Sequence, residues 1–123
     1  MWISIKLEGG IYRLVSVYSP CEGSNAAVLD SFYQQLGDVA VRKGSEHLML
    51  LGDFNARIGN SVSNSRYDGV VGRFGEDTLN SNGKRLLDFC EFNGLAITGS
   101  FFKHKWIHRF TYVNDSAGHN SVI

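Results

Sequence analysis

The stretch Leu48–Arg57 constrains the fold more than any other part of the chain. It opens with four consecutive apolar residues, and Gly52 ends this run just before Asp53 and Asn55. A short apolar run without alternation predicts a strand buried on both faces, as parallel strands in α/β sheets are. Ligands of such sheets bind beyond the carboxyl ends of the strands. We therefore expect Asp53 to lie where a buried sheet meets solvent.

Asp53 and Asn55 form a carboxylate–amide pair two residues apart. If the strand continues in extended form, both side chains point to the same side and can hold a metal, orient a water or contact a phosphate. A polar turn that merely closes the strand is the alternative. A calcium loop is excluded, because Arg57 takes the next ligand position and Ile58 stands where that loop needs glycine. The chain also lacks a phosphate-binding Gly-x4-Gly-Lys-Ser/Thr motif.

The residues before this strand predict a β-hairpin followed by a helix. Residues 1–8 alternate, Gly9 and Gly10 form the turn, and Ile11–Val17 is the second strand. A helix follows, capped by Ser24 or Asn25, with apolar residues at helical spacing, namely Leu29, Phe32, Leu36 and Val39. Strand, helix and strand form a crossover unit, which brings Tyr18 and Asp53 to the same edge of the sheet.

The residues after the strand predict a long loop, a second helix and two short strands. Residues 57–81 are rich in Gly, Asn and Ser, and loops of this length are usually functional or disordered. Asn82 is expected to cap a helix that carries Cys90 on its apolar face and stops at Gly94. The strands are expected at Leu95–Thr98 and Phe110–Val113, with a turn at Asn114–Gly118 after the second.

The stretch Phe101–Phe110 interleaves basic and aromatic residues, a pattern typical of proteins that bind single-stranded nucleic acids. An amphipathic surface loop is the alternative, and it stays open. The 12 basic and 12 acidic residues balance, so there is no net charge to attract nucleic acid. The two cysteines stand far apart, and neither a signal peptide nor a membrane span is evident. These features predict an intracellular protein, nuclear or cytoplasmic, with no membrane partner; they leave its oligomeric state open.

The segment Leu50-Leu-Gly-Asp-Phe-Asn-Ala-Arg57 resembles the Gly-Asp-Phe-Asn signature of the endonuclease/exonuclease/phosphatase superfamily. The closer resemblance is to its craniofacial development protein 2-like and non-long-terminal-repeat retrotransposon endonuclease members. It continues in order through further segments, namely Gly72–Gly75, Asn82–Cys90, Leu95–Thr98, Phe102–Lys105 and Phe110–Tyr112. This resemblance implies an α/β fold, part of a deoxyribonuclease-I-like α/β sandwich with a mixed β-sheet and flanking helices. Residues 1–123 are then a partial domain.

The resemblance also implies a catalytic role for Tyr18, Asp53 and Asn55. Asp53 is the expected general base or water-orienting carboxylate, and Asn55 fixes Asp53 and the phosphate. Both are candidate ligands of Mg²⁺, or of Mn²⁺ in its place. Tyr18 is expected to donate a hydrogen bond to a phosphate oxygen. DNA is the expected partner and RNA the alternative, with nucleic-acid contacts at Arg57, Lys103, Lys105 and Trp106.

Two groups of the resembled superfamily have no counterpart among these residues: a metal-binding glutamate that precedes the hairpin, and a later Ser-Asp-His segment. Two hypotheses therefore remain open. The chain is either the central part of a magnesium-dependent endonuclease, or an inactive remnant that binds nucleic acid or protein. In both, we expect the 123-residue chain alone to be inactive, because catalytic groups that act as a unit are lost non-additively.

Overall fold

The computed structural model describes residues 1–41, 44, 46–62, 65–105, 110–114 and 119–122. The chain divides into two compact units, Met1–Asn55 and Ala56–Ile123. The first unit contains strands β1 (Trp2–Leu7) and β2 (Gly10–Tyr18), helix α1 (Ala26–Ala40) and strand β3 (His47–Asp53). The second contains helix α2 (Ser81–Asn93), strands β4 (Phe110–Asn114) and β5 (His119–Val122), and 3-10 helices at Ser65–Tyr67 and Thr98–Phe101. The α/β fold class is confirmed.

The first unit is built on a mixed three-stranded sheet in the order β1-β2-β3. Strands β1 and β2 pair antiparallel, which confirms the predicted hairpin, but Gly10 pairs with Leu7 as the first residue of β2, so the turn is formed by Glu8 and Gly9 and not by Gly9 and Gly10. Strands β2 and β3 pair in parallel, and α1 connects them, so the predicted crossover unit is confirmed. Helix α1 begins after Asn25, whose side chain accepts a hydrogen bond from the N–H of Ala27 at 2.8 Å.

One face of this sheet is covered by α1. Arg13, Val15 and Val17 alternate along β2 with their side chains buried on this face. The guanidinium of Arg13 donates to the carbonyl oxygens of Val39 and Val41, both at 3.2 Å, and these carbonyls lie at the carboxyl end of α1. The hydrogen bonds tie the helix to the sheet.

The opposite face carries a row of exposed apolar side chains, which we call the open face: Ile3, Ile5, Leu7, Met49 and Leu51. Met49 is 45% and Leu51 49% exposed. The prediction that β3 is buried on both faces is therefore wrong. The reason is that β3 is an outer strand of a sheet of which one face is covered, so its apolar run alternates between half-buried and exposed positions.

The second unit has a core of apolar side chains from α2 and the segment before it: Tyr67, Val70, Val71, Leu86, Leu87 and Cys90. Cys90 is buried as predicted. The predicted cap at Asn82 is wrong, because Asn82 is fully buried inside the helix. Asn80 is the N-cap, and its side chain accepts from the N–H of Gly83 at 2.7 Å. The predicted helix end at Gly94 is confirmed by a left-handed φ of 61°.

The described parts of the segment predicted as a long loop, residues 57–62 and 65–81, are joined by backbone hydrogen bonds. Ile58 and Leu79 form an isolated antiparallel bridge, and the N–H of Gly59 donates to Thr78 O at 2.9 Å. The strand predicted at Leu95–Thr98 is wrong: Ile97 N–H bonds to Val70 O at 2.8 Å, and a 3-10 helix begins at Thr98.

The strand predicted at Phe110–Val113 is confirmed as β4, which pairs antiparallel with β5. Of the turn predicted after it, residues 115–118 lie outside the described residues. No helix in the described part of the chain has the length and apolarity needed to cross a membrane.

Candidate functional site

The carboxyl ends of β2 and β3 bring together three of the residues singled out from the sequence. Tyr18 and Asp53 are the last residues of their strands, and the parallel register sets them opposite one another. The ladder continues one step further, because the N–H of Ser19 donates to the carbonyl oxygen of Asp53 at 2.8 Å. The prediction that the crossover brings Tyr18 and Asp53 to one edge of the sheet is therefore confirmed.

Asn55 reaches this edge through a turn and not through an extended strand. Its φ is 47°, a left-handed conformation that asparagine tolerates better than most residues. The Oδ1 atom of Asp53 accepts a hydrogen bond from the N–H of Asn55 at 2.8 Å, which closes the turn. The extended continuation considered from the sequence is thus wrong, and the bond that joins the two residues runs from the backbone N–H of Asn55 to the Asp53 carboxylate.

The exposure of the three side chains differs. Tyr18 is 75% exposed, whereas Asp53 and Asn55 are half-buried. The phenol is accessible to a ligand in solvent, and the backbone of Tyr18 lies opposite that of Asp53. Together they offer a hydroxyl, a carboxylate and an amide at one end of a sheet, which suits recognition of a phosphate or of a water that attacks it.

Gly52 permits this arrangement. Its φ is 148°, and a Cβ atom at this position would lie 1.8 Å from the carbonyl oxygen of Val17. Only glycine allows β3 to approach β2 so closely just before Asp53. The sequence identified Gly52 as the end of the apolar run, and the structure shows that its conformation sets the position of the carboxylate.

Ser19 is the member of this edge that sequence reasoning missed. It is fully buried, and its carbonyl oxygen accepts a hydrogen bond from Nδ2 of Asn55 at 2.7 Å. Both of its contacts with the Asp53–Asn55 turn use backbone atoms. A backbone contact leaves no side-chain pattern in the sequence, so no signal could have identified it.

Metal binding was expected from Asp53 and Asn55. Mg²⁺ is usually held by one or two carboxylates, several waters and substrate phosphates. The pair supplies one carboxylate and one amide, which fits part of such a coordination shell. Among the described residues there is no cluster of three or more His, Cys, Asp or Glu side chains able to hold an ion.

Arg57 belongs to the second unit and is held there by several contacts. Its guanidinium Nη1 lies 3.3 Å from Oε2 of Glu76, and its N–H donates to Oδ1 of Asn80 at 2.9 Å. Its carbonyl oxygen accepts from the N–H of Asn80 at 3.0 Å. Sequence reasoning did not identify Asn80 as the residue that positions Arg57, because it assigned the helix cap to Asn82.

The two lysines expected to contact nucleic acid, Lys103 and Lys105, are exposed and follow the 3-10 helix at Thr98–Phe101. Phe101 and Phe102 precede them and are 38% and 64% exposed. Trp106, the fourth residue of that prediction, lies outside the described residues.

The chain is similar to a segment of craniofacial development protein 2. It is 27% identical to the protein of Bos taurus over 124 aligned positions, which cover 98% of this chain and 20% of the relative. It is 28% identical to the protein of Tragulus javanicus over 115 positions, which cover 91% of this chain and 19% of the relative. No family model and no solved structure matches. The chain thus spans about a fifth of the length of the curated relatives it matches.

Proposed function

We propose that this chain is part of a magnesium-dependent phosphodiesterase of the endonuclease/exonuclease/phosphatase superfamily, one that cleaves DNA. The observation that supports the proposal most directly is the register of Tyr18 opposite Asp53, with Asn55 hydrogen-bonded to Asp53 at the same strand ends. The order of these residues follows the superfamily signature, and the similarity to craniofacial development protein 2 extends over nearly the whole chain.

Each of the three residues has a distinct task in the proposed reaction. The half-buried Asp53 orients the attacking water or takes its proton. Asn55 fixes the Asp53 carboxylate through its backbone N–H. The exposed Tyr18 hydroxyl donates a hydrogen bond to a phosphate oxygen, where negative charge develops as the bond breaks. A divalent ion held by Asp53 and Asn55, when bound, neutralises phosphate charge and favours a nucleophilic water.

The open face supports a larger fold than the three strands of the first unit. A sheet with a helix on one face and alternating apolar side chains on the other is suited to pack against a second sheet. We propose that these strands are one half of a deoxyribonuclease-I-like α/β sandwich. Since the relatives are about five times as long as the matched segment, segments beyond it could supply the covering sheet.

The first experiment follows the reading frame through both ends of this segment and assays the encoded protein for nicking of supercoiled DNA with Mg²⁺. Asp53→Ala should abolish nicking, while Asp38→Ala, which removes an exposed carboxylate on α1, should leave it unchanged. Nicking that survives Asp53→Ala would overturn the proposal. The 123-residue chain alone should show no nicking above its own Asp53→Ala variant.

A second candidate function is binding without catalysis, in which the chain contacts nucleic acid through the Phe101–Phe110 stretch. The exposure of Phe102, beside the exposed Lys103 and Lys105, favours this candidate because stacking needs accessible rings and phosphate contact needs accessible charge. Single-stranded DNA should then change the fluorescence of Trp106, and added salt should weaken the change. An unchanged signal at low salt would leave the stretch as an ordinary surface loop.

A further inference from the structure

Ser19 directly follows Tyr18, the last residue of β2, and hydrogen-bonds to Asp53 and Asn55 at the end of β3. Its side chain is fully buried, and its hydroxyl donates to Pro20 O at 3.2 Å. Its N–H donates to Asp53 O at 2.8 Å, and its carbonyl oxygen accepts from Nδ2 of Asn55 at 2.7 Å. The backbone of Ser19 therefore holds the backbone of Asp53 and the side chain of Asn55.

These bonds determine how Asn55 presents its amide. Its backbone N–H is bound to Asp53 Oδ1, and its Nδ2 is bound to Ser19 O. With Nδ2 turned toward Ser19, Oδ1 lies on the other side of the planar amide. An amide held in this way presents an oxygen, which suits a cation or a hydrogen-bond donor better than a phosphate oxygen.

Pro20 fixes the direction of the Ser19 carbonyl. Proline disfavours the helical conformation in the residue before it, so Ser19 is biased toward an extended backbone, and its carbonyl oxygen accepts from Asn55 Nδ2. The serine side chain is small and fully buried, so a larger group at this position would have to displace its neighbours. The Tyr18-Ser-Pro20 segment thus combines a functional tyrosine with a rigid hydrogen-bond acceptor for Asn55.

We propose that Ser19 is a positioning residue of this site: its backbone holds the Asn55 amide so that Oδ1 is presented as an oxygen ligand beside Asp53. The proposal rests on the function proposed above for the same strand ends. It assigns Asn55 the task of an oxygen donor, and it assigns Ser19 the task of keeping that donor in one orientation.

The test is nuclear magnetic resonance on the isotope-labelled 123-residue chain. The Asn55 side-chain amide should show a hydrogen-bond coupling to the Ser19 carbonyl carbon and slow hydrogen exchange. Ser19→Ala keeps the backbone and the small volume, so the exchange rate should not change. Ser19→Val tolerates the same extended backbone but adds volume, and it should raise the exchange rate about tenfold by displacing the carbonyl.

Ser19→Gly is the second variant, because it adds no volume and frees the backbone, so it serves even where the valine variant does not fold. Exchange should be faster in this variant than in Ser19→Ala. If neither variant differs from Ser19→Ala, or if the wild-type chain lacks the coupling to Ser19, the proposal is overturned.

Mn²⁺ alone serves as the probe of the ligand role, followed by paramagnetic broadening of the Asp53 and Asn55 amide signals. Broadening should weaken in Ser19→Gly while the α1 signals, which report folding, stay unchanged. Another outcome is faster exchange in Ser19→Gly while Mn²⁺ fails to broaden the wild-type Asp53 and Asn55 signals. That result would refute the ion-binding part of the proposed function but would still support the role of Ser19 in orienting Asn55. Equal broadening in Ser19→Gly and wild type would support the ion site and overturn the positioning role.

Discussion

A Cβ atom on Gly52 would lie 1.8 Å from the carbonyl oxygen of Val17, on the neighbouring parallel strand. This contact is with backbone, so the neighbour cannot rotate away. The φ of Gly52, 148°, is also one that residues with a side chain rarely adopt. Two separate penalties therefore act on any replacement of this glycine, at the position next to Asp53.

We expect Gly52→Ala to reduce the free energy of unfolding by about 4 kcal/mol or more, because clash and backbone strain add. Urea denaturation followed by circular dichroism measures this change. The matched control is Gly37→Ala, inside α1, where an added Cβ meets no atom within 4 Å. That substitution should stabilise the chain by about 0.5–1 kcal/mol. Equal effects of the two substitutions would contradict the close approach of β3 to β2.

Much of the first unit could be predicted from local patterns. Alternation and a glycine pair predicted the hairpin, helical spacing after Asn25 predicted α1, and together they implied that Tyr18 and Asp53 share an edge. The burial of β3 could not be predicted from its own residues. An apolar run has the same pattern whether its second face is covered or open, and only the set of packed elements decides this.

The hydrogen bonds and ion pairs around the candidate site could not be predicted, because they depend on backbone geometry and on distant residues that leave no pattern in the sequence. The turn at Asn55 follows from a left-handed φ that Asp-Phe-Asn permits but does not require. The ion pair of Arg57 with Glu76 joins residues 19 positions apart, so the sequence predicted a nucleic-acid contact at Arg57 but not this ion pair. Backbone contacts, such as those of Ser19, were beyond sequence reasoning for the same reason.

Asn80 should contribute more to stability than an ordinary helix cap. Its Oδ1 accepts from the N–H groups of Gly83 and Arg57, at 2.7 and 2.9 Å, whereas Oδ1 of Asn25 accepts, among the described residues, from the N–H of Ala27. We expect Asn80→Ala to cost about 2 kcal/mol and Asn25→Ala about 1 kcal/mol. Asn80→Asp keeps the acceptor oxygen and should cost less than Asn80→Ala. If chemical denaturation ranked the two alanine variants the other way, the double role of Asn80 would be refuted.

Arg13 should be essential to the first unit, because it is a buried charge with several partners. Its guanidinium pairs with Glu46 and also donates to two carbonyl oxygens at the end of α1. Arg13→Leu removes these bonds and leaves Glu46 without its cation, so we expect a loss of about 3 kcal/mol. The control is Arg73→Leu, at an exposed position, which should change stability by less than about 0.5 kcal/mol. A loss as small as the control's would mean that Arg13 does not join the helix to the sheet.

The two cysteines should differ sharply in reactivity. Cys21 is exposed, whereas burial raises the pKa of the Cys90 thiol to about 11, from an ordinary value of 9.0. Because the thiolate is the reactive form, a disulfide reagent at pH 8 should modify one thiol per folded chain and two per unfolded chain. Cys21→Ser should remove the fast reaction, and Cys90→Ala should leave it intact. Fast modification of Cys90 in the folded Cys21→Ser variant would contradict its burial.

The same pKa difference makes stability depend on pH. In the unfolded chain Cys90 ionises near pH 9, whereas the folded chain holds the proton until about pH 11. The protonated Cys90 thiol therefore makes its full contribution to stability below pH 9, and this contribution is lost as the pH rises through 11. The free energy of unfolding should decrease by about 3 kcal/mol over this range. The pKa of Tyr67 is also raised, by its hydrogen bond to Asp88 and by burial, so both residues lower stability in alkali. Cys90→Ala removes only the thiol's share, and its stability should fall less steeply between pH 9 and 11 than that of the wild type. Parallel curves would show that the thiol ionises equally readily in both states.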